Sequence, residues 1–154
     1  MEQIKNQSLR TIVKLTNRVG RLLIQSIWSK VDPQEVDIQA QHMPILGDLW
    51  EKDGIRQQDL AISNIKDKAT IARIISQLEQ KNILIRIADE QDKRNKRIYL
   101  THKGKNLKQI LIPLAEDTVK DALANVSPEE LITCNKVLNQ IYENLNGCIR
   151  NDSK

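Results

Sequence analysis

Phenylalanine is missing from this chain of 154 residues, and aromatic residues of any kind make up only 3% of it. Apolar residues nevertheless reach 40%, so the core has to be built from Ile, Leu, Val and Ala. Such side chains pack well along the apolar stripes of helices. The composition therefore favours a mainly helical protein, and the length leaves little room for two independent domains.

Cysteines are also scarce, and no long hydrophobic run occurs. Cys134 and Cys148 are too few for a disulfide framework and lack the spacing of a zinc site. No stretch reaches the roughly 18 apolar residues of a membrane span, and early charges such as Glu2 and Lys5 interrupt any signal-like apolar segment. We expect a cytoplasmic protein with reduced thiols and no membrane partner.

Groups that carry catalysis are not apparent either. The sequence shows no paired carboxylates, no nucleophile beside a base and no glycine-rich phosphate loop, and it has only five glycines. Its only histidines are His42 and His102, whereas a metal site needs three or four ligands together. We therefore predict no catalytic residues, no metal and no cofactor.

What the chain does have is a local concentration of positive charge. Residues 66–108 contain twelve Lys and Arg against five Asp and Glu, a net charge of +7 in a chain whose total is +4. The remaining residues are therefore net negative. Clustered positive charge attracts a phosphate backbone through counterion release, so this segment is the predicted nucleic-acid contact.

Apolar spacings of three and four predict helices, and spacings of two predict strands. Within 67–81 the buried face should hold four aliphatic side chains behind an N-cap at Asp67, and 83–101 should be a two-stranded hairpin with a basic tip. The four side chains are Ile71, Ile74, Ile75 and Leu78. The other predicted helices cover 8–28, 41–52, 56–62, 101–125 and a last stretch from 127. Because the first and last helices carry apolar stripes that one chain has few places to bury, we predict a homodimer.

These motifs resemble the MarR-type (multiple antibiotic resistance regulator) winged-helix transcription factors. Gln57-Gln-Asp-Leu-Ala61 is similar to the short helix of that family, and Thr70-Ile-Ala-Arg-Ile-Ile-Ser-Gln-Leu-Glu79 to its recognition helix. Asp92-Lys-Arg94 and Leu100-Thr-His-Lys-Gly104 are similar to its wing and to the start of its fifth helix. Together the motifs fall in the family's order within residues 38–104.

The resemblance implies a mainly α fold with a small β-wing: a winged helix-turn-helix (38–104) between an N-terminal helix and loop (1–37) and C-terminal helices (105–154), both used for dimerisation. It also implies a homodimer on a pseudo-palindromic operator in double-stranded DNA, most often as a ligand-responsive repressor. Recognition helix 67–81 would enter the major groove and wing 83–101 the minor groove. The alternative is a winged-helix module that docks proteins without specific DNA binding.

The wing supplies the first candidate contacts. A guanidinium at the hairpin tip can enter a narrow minor groove, where the potential is most negative, and this is the role predicted for Arg94. Asp92 would orient it through a charge-assisted pair. Lys93, Lys96 and Arg97 are predicted phosphate contacts, although charge on a β-ribbon also guards against edge pairing.

The exposed N-terminal face of the recognition helix supplies the rest. Arg73 is predicted to fork onto guanine, and Thr70 to reach a phosphate or a thymine methyl. Lys68 and Ala69 share this face, and Gln77 follows a turn later, where it would touch only backbone.

Three further residues are predicted to line the effector cavity that the resemblance implies, for a small lipophilic or phenolic ligand: Trp28, His42 and Trp50. For the two tryptophans we favour the alternative of plain core packing. Cys134 and Cys148 lie on the apolar seam of the last helix. Redox sensing is a minor alternative for them, because the resemblance places the sensing cysteine in the first helix, which has none.

Overall fold

A computed structural model describes the backbone of residues 2–151 and the side chains of residues 10–145. The fold is mainly helical with one small antiparallel sheet, as predicted. The helices are α1 (Glu2–Ser29), α2 (Met43–Glu51), α3 (Gln57–Ser63), α4 (Lys68–Gln80), α5 (His102–Ala122) and α6 (Pro128–Asn151), and a 3-10 turn (Ala40–His42) precedes α2. The strands are β1 (Ile55–Arg56), β2 (Leu84–Ala88) and β3 (Lys96–Leu100).

The chain forms two compact units, divided between Val119 and Lys120. The first unit holds the core, to which α2, α3, α4, the sheet and the first half of α5 all contribute buried aliphatic side chains. The second unit contains α6, which starts at a capping box: the Ser127 amide donates to Glu130 Oε2 at 2.9 Å, and the Glu130 amide donates to Ser127 Oγ at 3.2 Å. Within residues 2–151, no helix is long and apolar enough to cross a membrane.

Helix α4 begins and ends where local chemistry predicts. Asp67 Oδ1 accepts from the Thr70 amide at 2.8 Å, which satisfies one of the amides that a helix start leaves free. Asn82 follows the helix with a φ of +55°, the left-handed conformation that often ends a helix. The four predicted inward side chains between these ends are at most 1% exposed.

The sheet has three strands rather than the predicted two, in the order β1-β3-β2. Ile55 pairs with Ile98 and Arg56 with Arg97. The predicted helix start at Arg56 was therefore wrong, because that residue belongs to β1 and α3 starts at Gln57. A strand of two residues is too short to show an alternating pattern in the sequence.

The inner face of β2 also differs from a simple hydrophobic alternation. Ile85 and Ile87 are 41% and 47% exposed, whereas Arg86 between them lies inward. On β3, Ile98 and Leu100 are buried in the usual way. An inward arginine is tolerated because acceptors on α3 and α4 surround its guanidinium, as described below.

Candidate nucleic-acid interface

A cationic cleft lies where the start of α3, the start of α4 and the wing meet. It is lined by Arg56, Gln57, Gln58, Lys68, Arg94, Asn95 and Lys96. Of the predicted contacts, it brings together Lys68, Arg94 and Lys96. Arg56 and the three amides were not predicted from the sequence, because their place in the cleft depends on how the wing folds back toward α3.

The first turn of α4 presents the predicted reading face. Lys68, Ala69 and Arg73 are exposed. Thr70 is half-buried, and its hydroxyl donates to Asp67 Oδ2 at 2.7 Å. The same hydroxyl, together with the Thr70 amide, lowers the pKa of Asp67. Because that hydroxyl proton is engaged, Thr70 can offer a base its methyl group or its oxygen as an acceptor, but not a hydroxyl donor.

The far end of this face turns into the protein instead. Gln77 is half-buried, and its Oε1 lies 3.3 Å from His42 Nε2 at the start of α2. Ser76 accepts from Arg86 Nη2 at 2.9 Å. Gln77 thus joins α4 to the turn before α2, and its contact with DNA stays a prediction.

At the wing tip, Asp92 organises the main chain. Its Oδ1 accepts from the Arg94 amide at 3.0 Å, and its Oδ2 accepts from Asn95 Nδ2 at 3.1 Å. We expected Asp92 to orient the Arg94 guanidinium through an ion pair; in the described structure the carboxylate shapes the turn that carries Arg94. Lys93, Arg94 and Lys96 are exposed.

The base of the wing is tied together by a buried carboxylate. Asp89 is 1% exposed, and its Oδ2 accepts from Arg97 Nε at 2.7 Å and from Arg56 Nε at 3.2 Å. The amide of Gln91, followed by these guanidiniums, lowers the pKa of Asp89 to about 2. Arg97 also donates to the Gly54 carbonyl at 2.9 Å. The Arg97 guanidinium therefore joins the wing to β1, and its phosphate contact stays a prediction.

Arg86 connects β2 to the two helices beneath it. Its Nη2 donates to the Ala72 carbonyl at 3.0 Å and to Ser76 Oγ, its Nη1 pairs with Glu79, and its Nε lies 3.4 Å from Gln57 Oε1. The guanidinium therefore fixes the wing against the recognition helix. The only signal in the sequence was an arginine between two strand isoleucines.

The residues predicted for an effector cavity make packing contacts. Trp50 Nε1 donates to the Gly104 carbonyl at 3.0 Å, and Trp28 is half-buried against the core. His42 is 1% exposed, and its Nδ1 accepts from the Gln39 amide at 3.0 Å. Burial lowers the pKa of His42. The cavity itself stays a prediction.

Among the described residues, neither a cysteine nor a metal centre contributes to this interface. Cys134 is an exposed free thiol on α6, and the side chain of Cys148 lies outside the described residues. Among residues with described side chains, no group of three or more His, Cys, Asp or Glu is arranged to hold a metal ion.

Comparisons with known proteins agree with this arrangement. Residues 38–96 match the model of the MarR family. YybA of Bacillus subtilis, named an HTH-type transcriptional regulator, is 29% identical over 117 residues, which cover 76% of this chain and 78% of the relative. YdgJ of the same organism, named likewise, is 31% identical over 110 residues, covering 71% and 67%. A solved S. aureus MepR–DNA complex superposes with a TM-score of 0.73 at 25% identity, covering 86% of this chain and 96% of that chain.

Proposed function

The chain belongs to the MarR family of DNA-binding transcriptional regulators, and from that premise we propose that it acts as a homodimeric repressor of a pseudo-palindromic operator. The family and the relatives are regulators rather than enzymes, in agreement with the sequence prediction. Residues 38–104 would bind the DNA. Residues 1–37 and 105–154 would form the dimer.

The convergence of cations from three separate elements is the observation that carries the proposal. Lys68, Arg94 and Lys96 come from α4 and the wing, and Arg56 comes from β1. The positive end of the α4 dipole lies on the same side. Such a surface suits a phosphate backbone, on which Arg73 would reach a major-groove guanine and Arg94 the minor groove.

Exposed apolar helices support the dimer. On α1, Leu15, Val19 and Leu22 are 51–62% exposed in the single chain, and on α6, Leu138 and Leu145 are 41% and 60% exposed. Large aliphatic side chains that recur on one helix face normally meet a partner. A dimer carries two identical winged-helix units, called the reading heads below. Two such units require a two-fold related operator.

We also propose that a small-molecule effector regulates DNA binding. We assign a small lipophilic or phenolic ligand to the neighbourhood of Trp28, His42 and Trp50, where aromatic rings and one imidazole offer apolar contact and a polar anchor. Ligand binding would change the spacing of the two heads, and the measurable result is release of operator DNA on titration with aromatic acids.

The experiment that tests DNA recognition is selection from a random duplex pool. Wild-type protein should enrich a two-fold related motif, and Arg73→Ala/Arg94→Ala should lose it. Lys52→Ala/Lys103→Ala is the matched control, because it also removes two exposed positive charges but lies outside both the cleft and the segments assigned to the dimer. No enrichment by the wild type at low salt would overturn the proposal and favour the protein-docking alternative.

A further inference from the structure

The cationic cleft has properties of a defined anion site rather than of a generally basic surface. Its seven lining residues are four cations and three amides, with no carboxylate among them. Asp67, Asp89 and Asp92 all lie close by in sequence, yet each is turned to a structural partner. Asp89 pairs with Arg56 from outside the cleft, so the charges of Lys68, Arg94 and Lys96 face the cleft with no carboxylate among its lining residues.

The size of the cleft restricts what it can hold. Its volume is about 170 Å³, below the roughly 300–1,000 Å³ of pockets that bury drug-sized ligands. Its guanidiniums, ammonium groups and side-chain amides are all N–H donors, and charge-assisted hydrogen bonds to phosphate oxygens are among the stronger ones. A single tetrahedral oxyanion fits both the size and the chemistry.

Two of its lining side chains, Arg56 and Asn95, are held in place by carboxylates in the absence of any ligand. Asp89 holds the Arg56 guanidinium from behind at 3.2 Å, and Asp92 holds the Asn95 amide at 3.1 Å. Side chains that are already fixed lose less entropy on binding. The carboxylates outside the cleft thus prepare the donors inside it.

We infer that this cleft is a single-phosphate site that grips one phosphodiester of the DNA backbone between the wing and the starts of α3 and α4. The inference rests on the proposed function and adds a step to it. Because Lys96 lies on the wing and Lys68 on the recognition helix, one bound phosphate fixes the position of the wing relative to α4. Entry of Arg94 into the minor groove is then coupled to the seating of α4 in the major groove.

The first test is the salt dependence of binding to a duplex of arbitrary sequence, which does not require an operator. Each lost phosphate contact lowers the slope of log affinity against log salt by about 0.9. Lys68→Gln and Lys96→Gln should each lower it by up to that amount per protomer engaged, and the double variant by no more than that, because both lysines grip the same phosphate. Lys66→Gln is the control, because this exposed lysine lies two residues from Lys68 but does not line the cleft. Arg56 is left intact because it also pairs with Asp89.

The second test uses inorganic phosphate alone. The side-chain amide resonances of Gln58 and Asn95 should shift on titration with phosphate, relative to sodium chloride at equal ionic strength. The shifts should be lost in Lys68→Gln/Lys96→Gln and kept in Lys66→Gln.

The outcomes separate the sources of the phosphate. Lower slopes, with or without resonance shifts, support a backbone-phosphate site. Resonance shifts with unchanged slopes overturn that assignment in favour of a free phosphate anion, and slopes and shifts that match those of Lys66→Gln overturn the site altogether. Since the duplex has no chosen sequence, these results stay distinct from a failed operator selection.

Discussion

Asp89 is the buried carboxylate that ties the base of the wing to β1. Its pKa of about 2 lies below the ordinary value of 3.8, so the folded state favours the carboxylate. A lowered folded pKa gives stability that is present above the unfolded pKa and is lost as pH falls toward the folded one. We expect Asp89→Asn to lower the free energy of unfolding at pH 7 and to remove part of the loss that the wild type shows between about pH 4 and pH 2. Denaturant titrations across this range measure both effects.

Asp92→Asn is the control for that prediction, because Asp92 is exposed and binds only the turn around it. Its effect on unfolding should be smaller. If both variants have the same acid profile as the wild type, Asp89 does not hold the wing.

His42 gives a second pH dependence, at higher pH. Nδ1 accepts from the Gln39 amide, so the neutral ring donates from Nε2 to Gln77. Protonation would place an N–H on Nδ1 directly opposite the N–H of Gln39, and the hydrogen bond would be lost. Burial lowers the pKa of His42, as do Lys81 and Arg73, while Gln77 and Asp37 raise it. The stabilisation is therefore present above the unfolded pKa of about 6.5 and is lost as pH falls through the lower folded value.

His42→Gln keeps a side-chain acceptor but does not titrate. We expect the variant to lack the part of the stability loss that the wild type shows below about pH 6.5. His102→Gln, at the exposed start of α5, is the matched control and should leave the profile unchanged. Thermal unfolding at a series of pH values measures this dependence. Identical pH profiles of stability for the two variants would contradict the role assigned to His42.

For single residues, the sequence predicted the contacts between residues that lie close together in the chain. Asp67 caps α4 through a residue three positions away, so its role follows from spacing alone. Asp89 and Arg56 are 33 residues apart, and their pairing depends on how the wing packs on β1. The structural partners of Arg97 and Gln77 were missed for the same reason: an exposed polar side chain and an engaged one look alike in the sequence.

The turn between α3 and α4 is the strained element of the first unit. Ile65 has a φ of +51° and is 74% exposed, although a β-branched residue disfavours the left-handed region by roughly 1–2 kcal/mol. Asparagine tolerates this conformation. We expect Ile65→Asn to raise the free energy of unfolding by up to about 1 kcal/mol, measured by denaturant titration. Ile62→Asn is the control, because Ile62 is 55% exposed but helical, and it should give no gain.

The elements themselves were predicted well where they are long and poorly where they are short. Helix α4 and its buried face follow from a spacing that repeats over 13 residues. Strand β1 has two residues and forms only because β3 offers an edge. The inward Arg86 reverses the pattern expected for β2, since its partners lie on α3 and α4 rather than on neighbouring strand positions.

At the scale of the whole molecule, the charge distribution was the most useful signal. A net charge of +7 within residues 66–108 predicted that this segment contacts nucleic acid, and the cationic cleft falls within and beside it. The sequence could not show that the cleft excludes carboxylates, because three aspartates lie within or next to the same loops. Only the folded turns direct those aspartates away.

Dimerisation is the prediction that concerns the molecule as a whole. Wild-type protein should sediment at twice the chain mass of 17.7 kDa. Leu22→Glu on α1 and Leu145→Glu on α6 should shift it toward the monomer, because a charge in an apolar interface is left without a partner. Both side chains are at least 60% exposed in the single chain, so the folded monomer should change little in stability.

Ile87→Glu supplies the matched control, since it places the same charge on an apolar side chain that is 47% exposed on the wing sheet. It should remain dimeric. Separate variants on α1 and α6 also show whether one helix or both form the interface, and monomers should bind a half-site with a lower salt slope than the dimer on the full operator. A wild type that sediments as a monomer would contradict the two-fold operator itself, because the spacing of two reading heads is what requires the symmetry.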